Sequence, residues 1–262
     1  MSPLRRVGFW VVCAHAVLAA AVPLLPLAST SAQQAGAVLQ GISGEHWLGT
    51  DHLGRDLLAR TLWGGRPSIG IALASVLLAA LLGFALGTVA ALAGGWVDEV
   101  LTRINDVLLA LPSLLVLMLV ASFVGRQTPV LVLTLALMYA PPIARVVRGA
   151  SMSVLARDFV VAARLRGAGA AEVVVGEVLP NIRRVVLTEM GMQFSWILLA
   201  FSSLSFLGLG ASPPTPEWGL MIAEGREFMT VNALPVVAPV VMLASLVLAV
   251  NSLVDRGGGD AP

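Results

Sequence analysis

The chain has 262 residues, of which 58% are hydrophobic and only 12% are charged, and its mean hydropathy is +0.90. A soluble domain is far less apolar, so this composition predicts a membrane protein with several spanning helices. All sixteen cationic residues are dispersed arginines, which gives no indication of nucleic-acid binding, and the absence of lysine excludes a phosphate-binding loop of the GxxxxGK[ST] type. The single cysteine, Cys13, excludes an intrachain disulfide.

The first predicted element is an apolar run over residues 7–28, preceded by the basic residues Arg5 and Arg6. About twenty apolar residues are enough to cross a bilayer. A cleaved signal peptide is the alternative, because Ser31 and Ala32 resemble the small residues of a cleavage site. The apolar core of a signal peptide runs only about 7 to 15 residues, which favours a retained helix. In either case the residues that follow are expected outside.

Residues 29–67 form a polar segment on the outer side. The residues after Asp51 predict a short helix that lies on the outer membrane surface, with Asp51 as its N-cap. Trp47 and Trp63 are expected at the membrane–water interface, where tryptophan is enriched.

The same outer segment contains four potential metal ligands: His46, Asp51, His52 and Asp56. Two histidines six residues apart, without a third strong ligand, are more typical of an ordinary polar loop than of a metal centre. The sequence therefore predicts no metal site.

Five more apolar runs bring the number of predicted membrane helices to six. They cover residues 68–93, 104–124, 129–147, 185–209 and 233–254. Gly83 and Gly87 form a GxxxG motif that allows a neighbouring helix to approach closely. Pro112 and the pair Pro141 and Pro142 predict kinks, which serve either helix packing or a transport path.

The arginines indicate an orientation, because cytoplasmic loops of membrane proteins carry an excess of positive residues. If the first helix begins inside, eleven arginines are cytoplasmic and five lie outside. The cytoplasmic set is Arg5, Arg6, Arg103, Arg145, Arg148, Arg157, Arg164, Arg166, Arg183, Arg184 and Arg256, and the outer set is Arg55, Arg60, Arg66, Arg126 and Arg226. Both termini and the central polar segment are then predicted to be cytoplasmic.

The central polar segment, residues 156–184, is the longest polar interruption in the second half of the chain. Its pattern predicts two short helices, over residues 158–166 and 170–179. Gly167 ends the first helix, and Pro180 is expected to end the second.

Small side chains lie in the middle of this segment. Ala162, Ala163 and Gly167 are expected to form a surface that the groove of another protein can approach closely. Asp158 in the first turn of the first helix and Arg164 in its last turn both suit the helix dipole.

Polar residues inside the predicted membrane helices are the next candidates for function, because they are costly in lipid. Asp106 is expected to pair with Arg103, one turn earlier. Glu189, Gln193 and Ser202 make the fifth helix unusually polar. This polarity fits a wall of the transport path and, nearly as well, hydrogen bonding between helices.

The central segment resembles the cytoplasmic loop of ABC-importer permeases, whose motif is Glu-Ala-Ala, three residues, Gly, and about a dozen residues later Leu-Pro. The matching residues here are Val161, Ala162, Ala163, Gly167, Leu179 and Pro180. Val161 stands where the family usually has glutamate. The resemblance implies that residues 151–184, the coupling loop, bind an ATPase subunit.

Three further stretches, residues 46–56, 94–115 and 205–226, look like the dipeptide, oligopeptide and nickel branch of these permeases, in the same order. One difference is Phe201, because many members carry an acid at that position. The resemblance implies an all-α type I ABC-importer permease fold with six transmembrane helices in a bacterial inner membrane. The implied division is an N-terminal helix with its outer segment, residues 1–66, and a five-helix core, residues 67–262.

The same resemblance implies the partners: a sister permease, two ATP-binding subunits and an extracytoplasmic substrate-binding protein, with membrane lipid around them. No catalytic residue and no cofactor is predicted, since the chain lacks HExxH and GxSxG. An ion-coupled secondary transporter is the less favoured alternative, because two similar hydropathy repeats and a buried midplane charge are not found. The expected cargo is a di- or oligopeptide, with nickel or a metal-chelator complex as the alternative.

Overall fold

The computed structural model describes residues 3–254, so Arg256, one of the arginines counted as cytoplasmic, lies outside the described residues. Within these residues, ten α-helices account for almost all regular structure. They are α1 (Pro3–Ala21), α2 (Leu57–Ala93), α3 (Gly95–Ala110), α4 (Ser113–Phe123), α5 (Thr128–Leu155), α6 (Asp158–Leu165), α7 (Ala170–Val173), α8 (Leu179–Phe206), α9 (Trp218–Gly225) and α10 (Leu234–Val254). The all-α prediction is confirmed.

Five helical stretches in the described residues are long and apolar enough to cross a membrane: residues 3–24, 57–93, 128–155, 170–206 and 234–254. A sixth span is present if α3 and α4 are counted as one, although they meet at an angle of 82°. The break lies at Pro112, which has no N–H to continue the helical ladder. By contrast, α5 passes through Pro141 and Pro142 as one helix. A polytopic architecture is thus confirmed.

The prediction of a separate surface helix capped by Asp51 is wrong. The helix begins at Leu57 and continues as the membrane helix α2, and its N-cap is Asp56, whose carboxylate accepts a hydrogen bond from the Ala59 N–H at 2.8 Å. The Asp51 carboxylate instead accepts hydrogen bonds within the preceding loop. The expected division at residue 66 therefore falls inside α2.

Helices α2 and α5 form the centre of the bundle, and the GxxxG prediction explains their close approach. A methyl group at Gly83 would lie 2.8 Å from the Ala140 carbonyl oxygen, and one at Gly87 would lie 2.5 Å from that of Ala144. Such distances are too short for a side chain, so glycine is required at both positions.

The local ion pair expected between Asp106 and Arg103 is not formed. Asp106 lies 2.9 Å from Arg145 on α5, whereas Arg103 is 3.9 Å from Glu99. Because α3 runs antiparallel to α5, Arg145 lies beside Asp106 and pairs with it in place of Arg103.

The rest of the core is built by α8, α9 and α10, with α1 packed along α10. Trp218 on α9 is fully buried, and its indole N–H donates to the Thr61 carbonyl oxygen at 2.8 Å. His15 on α1 meets the Trp218 ring edge-on, which ties the first helix to this core. Phe201 is also fully buried in this apolar cluster.

Candidate functional site

The coupling loop joins the end of α5 to α8 through the short helix α6. The helix ends in the arrangement expected for glycine: Gly167 has φ +93°, and its N–H donates to the Arg164 carbonyl oxygen at 3.0 Å. The Ala168 N–H donates to the Ala163 carbonyl oxygen at 3.1 Å. These two bonds form a Schellman motif, so the sequence prediction that Gly167 stops the helix is correct.

The two faces of α6 have opposite environments. Val160 and Ala163 are buried, and Val160 packs in the apolar cluster that also contains Val154 and Val173, whereas Val161 and Leu165 are exposed. The expected small-residue surface is therefore wrong for Ala163, which packs inside its own chain. Ala162 is half-buried, and Gly167 is exposed.

The prediction that Pro180 ends a second short helix is also wrong. After α7, a π-helical turn over Val174–Val178 leads directly into α8, so residues 170–206 are helical without interruption. The Leu179 N–H bonds to the Val174 carbonyl oxygen, five residues back. Pro180 lies in the first turn of α8, where its missing N–H is tolerated.

Part of the coupling loop lies outside the candidate membrane spans. The helical stretch 170–206 has 37 residues, about 55 Å at about 1.5 Å per residue, whereas the apolar core of a bilayer is about 30 Å thick. Residues 156–169 lie outside every candidate span. Asp158 and Arg164 are exposed there, so both are available to a partner in water.

The three expected pathway residues are all buried in the single chain. The Gln193 amide donates to the Glu189 carboxylate at 2.7 Å, and Ser202 lies 3.5 Å from the Glu217 carboxylate. The Gln193–Glu189 bond lies within α8, so only the contact of Ser202 with Glu217 fits the alternative of hydrogen bonding between helices. A role in lining a path requires the helices to separate, and it stays a prediction.

A four-residue ion cluster lies beside the start of α2. It consists of Asp51, Arg55, Arg60 and Glu224. The Arg55 guanidinium lies 2.6 Å from the Asp51 carboxylate and 2.8 Å from that of Glu224. Arg60, only 1% exposed, lies 2.9 Å from Glu224 and 3.3 Å from Asp51. Buried charges of this kind are tolerated only when they are paired, and here two cations meet two anions.

Two residues of the ion cluster are also potential metal ligands. Among the described residues, Asp51, His52 and Glu224 bring three potential ligand atoms within 4.8 Å of one another. The two buried arginines already neutralise both carboxylates, so this site does not favour a cation. His46 pairs with Asp56 at 2.9 Å, which uses the other two candidate ligands.

A buried carboxylate that the sequence reasoning missed is Glu217, the N-cap of α9. It accepts hydrogen bonds from the Leu220 N–H at 2.9 Å and from the Ser68 hydroxyl on α2 at 2.8 Å. Burial raises the pKa of Glu217, and the hydrogen bonds oppose this rise. Glutamate is not among the residues that favour an N-cap position, so the sequence offered no signal for this role.

Comparison with known proteins decides the family. Residues 83–256 match the model of the binding-protein-dependent transport system inner membrane component. The chain belongs to this family. It is 31% identical over 254 residues to the dipeptide transport system permease protein DppC of Alkalihalophilus pseudofirmus, covering 97% of this chain and 84% of that protein.

Two more relatives of this permease cover slightly less of the chain. It is 37% identical over 217 residues to the di/tripeptide transport system permease protein DppC of Pseudomonas aeruginosa, covering 83% of this chain and 72% of the relative. It is 36% identical over 216 residues to the glutathione transport system permease protein GsiD of Pectobacterium atrosepticum, covering 82% and 72%. The resemblance seen in the sequence is thereby confirmed, and the chain is a multi-pass permease component of an ABC importer in the inner membrane.

Proposed function

We propose that this permease imports di- or oligopeptides and that an ATP-binding subunit drives it through the coupling loop. The observation that carries the proposal is the loop itself: the short helix α6 lies outside the spans and ends in a Schellman motif, and the following helix α7 continues into α8 without a break. The named substrates of the relatives, which are dipeptides, di/tripeptides and glutathione, support the peptide class.

The helical continuity from the loop into the membrane supports a lever mechanism. When a partner moves α6, the packed contact of Val160 with the cluster that contains Val173 and Val178 carries α7 along. Because α7 continues into α8, the movement reaches the core, where α8 packs against α2, α5 and α10. ATP binding at one site and cargo passage at another are then coupled through two global states.

The proposed assembly contains a sister permease, two ATP-binding subunits that hydrolyse ATP, and an extracytoplasmic binding protein. A groove of about 730 Å³ between α8 and α10 supports a further membrane partner. The groove is lined by the exposed apolar side chains of Trp196 and Leu248 and by the polar side chains of Thr188 and Asn251. The Asn251 side chain also accepts a hydrogen bond from the Ser195 hydroxyl at 3.0 Å, so part of this polarity is satisfied within the chain.

The proposed orientation follows the arginine distribution, with the coupling loop and both termini in the cytoplasm and the four-residue ion cluster outside. It requires the loop and the ion cluster to lie at opposite ends of the spans. In the structure, α2 begins beside the ion cluster and α5 ends at the coupling loop, and these two helices run parallel.

Reconstitution tests the proposed function. The permease, its sister subunit, both ATP-binding subunits and the binding protein are placed in liposomes, and uptake of a labelled dipeptide and tripeptide is measured. We expect uptake that requires ATP and the binding protein. Nickel uptake without peptide uptake would favour the alternative cargo, and peptide uptake without ATP would contradict the proposal.

A further inference from the structure

The short helix α9 lies outside the candidate spans and packs against α2, α8 and α10. The Trp218 ring fills a notch in α2, because a methyl group at Gly65 would lie 2.9 Å from the ring. Gly219 packs directly against α8, where any side chain would collide with the Ser202 carbonyl group. The first residues of α9 therefore tie it closely to two membrane helices.

The Glu217 carboxyl group is the polar centre of this contact. It is fully buried, and its Oε1 atom lies 2.8 Å from the Ser68 hydroxyl oxygen on α2 and 3.5 Å from the Ser202 hydroxyl oxygen on α8. Its Oε2 atom accepts a hydrogen bond from the Leu220 N–H in the first turn of α9 at 2.9 Å. One carboxyl group thus joins three helices.

Within the described part of the chain, no cation forms an ion pair with Glu217. The ionisable groups that come nearest to it along the surrounding helices have other partners, and α10 carries none in its described residues. These groups are His15 on α1, Arg60 and Arg66 on α2, Glu189 on α8 and Glu224 on α9. A buried carboxyl group without a counter-ion favours its neutral form, and burial raises the pKa of Glu217 accordingly.

The Ser68 hydroxyl can bond to Glu217 in either protonation state. Its oxygen lies 3.0 Å from the Gly64 carbonyl oxygen and 2.8 Å from Glu217, and it has one proton to donate. When Glu217 is ionised, the Ser68 hydroxyl donates to the carboxylate. When Glu217 is protonated, its O–H donates to Ser68, and the Ser68 hydroxyl donates to Gly64. The protonated acid therefore joins α9 to α2 without burying a charge.

We propose that Glu217 is a proton-controlled latch: it is protonated while α9 is packed against α2 and α8, and it ionises when these helices separate. On separation the carboxyl O–H bond breaks and the proton passes to water. The proton returns from water when the helices close, so none crosses the membrane. This latch goes beyond the proposed function, because it does not depend on which cargo is carried.

The latch makes separation of these helices depend on pH. The closed state binds the proton more tightly than the open state, in which water reaches the carboxyl group. Rising pH therefore favours the open state, by up to about tenfold for each pH unit between the ordinary glutamate pKa and the raised value. Glu217→Gln preserves the size and polarity of the side chain but does not titrate, so it should remove this dependence.

Cysteine accessibility measures the separation. Thr61 on α2 is 3% exposed, and its carbonyl oxygen accepts the Trp218 indole N–H. Its hydroxyl forms no hydrogen bond, so Thr61→Cys in a Cys13→Ala background loses none. The transporter, assembled with its partner subunits, is treated with a water-soluble maleimide over a pH series. The labelling rate at residue 61 is divided at each pH by that of Ser212→Cys, an exposed control that corrects for the reactivity of the thiol.

We expect this ratio to rise by up to about tenfold per pH unit when residue 217 is glutamate, and to stay constant with pH in Glu217→Gln. The same pH dependence in both proteins would overturn the latch. If Glu217→Gln does not assemble, the chain with glutamate still decides, because a ratio that stays constant with pH there would overturn the latch as well.

Discussion

Charged side chains are paired and largely buried at one end of the bundle and exposed at the other. In the four-residue ion cluster, all four charged side chains are paired with one another, and Arg60 is almost completely buried. In the coupling loop, Asp158, Arg164 and Arg166 are exposed, and Leu165 is exposed beside them. The charges of the first end are paired within the chain, whereas those of the second end are exposed.

The two ends also differ in how they are held together. The ion cluster joins residues 51–60 to Glu224, which is far away in sequence, and so holds the start of α2 against α9. The coupling loop makes no comparable closed network, but it is rigid where α6 ends at Gly167. A rigid element with an open surface suits a contact that transmits movement.

Breaking the ion cluster should have the largest effect. Glu224→Ala leaves Arg55 and Arg60 to share one carboxylate, and removing a partner from a buried ion pair typically costs about 3 to 5 kcal/mol. We expect little folded protein in detergent, measured by size-exclusion chromatography and thermal unfolding. Glu45→Ala, at an exposed position in the same outer segment, is the control and should behave like the wild type. Equal stability of the two variants would show that the cluster does not hold this end together.

A change at Gly167 should remove transport but leave the membrane core folded. Gly167→Trp adds bulk to a surface that must fit a partner, at a φ of +93° that side chains rarely adopt. We expect normal membrane insertion with loss of uptake and of co-purified ATP-binding subunits. Gly167→Asn is the control, since asparagine tolerates left-handed backbone better than other residues and is small, so it should retain more activity. Wild-type uptake by the tryptophan variant would show that the loop does not dock.

Hydropathy and local spacing predicted most of this architecture, because both report on neighbouring residues. Membrane helices follow from apolar length, the α2 and α5 contact follows from Gly83 and Gly87, and the helix stop follows from Gly167. These features can be predicted without knowing which distant residues pack against each other.

The features that sequence reasoning missed depend on distant residues or on small changes in helix geometry. The partner of Arg60 is Glu224, 164 residues away, which no spacing rule reveals. Pro180 was expected to break a helix, but a π turn before it lets the helix continue. Ala163 was placed on the wrong face because the motif gives residue types without showing which of them pack against the chain itself.

A smaller effect on stability is expected at Glu217, the N-cap of α9. Glu217→Ala should cost about 1 to 3 kcal/mol, because the Ser68 hydroxyl and the Leu220 N–H lose their buried acceptor. Because burial raises the pKa of Glu217, the carboxyl group binds its proton more tightly in the folded state than in the unfolded state. The stabilising contribution is therefore full below the ordinary glutamate pKa and is lost as pH rises through the raised value.

A pH series of thermal unfolding checks this sign. The stability of the wild type relative to Glu217→Gln should fall as pH rises above the ordinary glutamate range, because glutamine does not titrate. A difference that stays constant with pH would mean that Glu217 does not carry a raised pKa in the folded protein.

The smallest expected effect is at Asp158. It lies one turn before Val161 on the same exposed face of α6 and is the nearest acid that can replace the family glutamate in an ionic contact. Exposed ion pairs contribute about 0 to 1 kcal/mol, so Asp158→Asn should lower the coupled ATPase rate only partially, up to several-fold, and less at high salt.

A second substitution identifies the reason for any Asp158 defect. If positions 158 and 161 serve one contact, Val161→Glu should restore coupling in the Asp158→Asn background. If Asp158 only favours its own helix dipole, Asp158→Asn changes little. A defect that Val161→Glu does not rescue, in a complex shown to assemble, would contradict the shared contact.

The most direct test of the account is which end of the molecule faces which side of the membrane. Single cysteines are placed at Ser31, Ser212 and Ala171 in a Cys13→Ala background, all at exposed positions, and intact cells are treated with a membrane-impermeant thiol reagent. The proposed orientation predicts labelling at residues 31 and 212, and labelling at residue 171 only after the membrane is opened. Labelling of residue 171 in intact cells would place the coupling loop outside, where it could not meet an ATP-binding subunit.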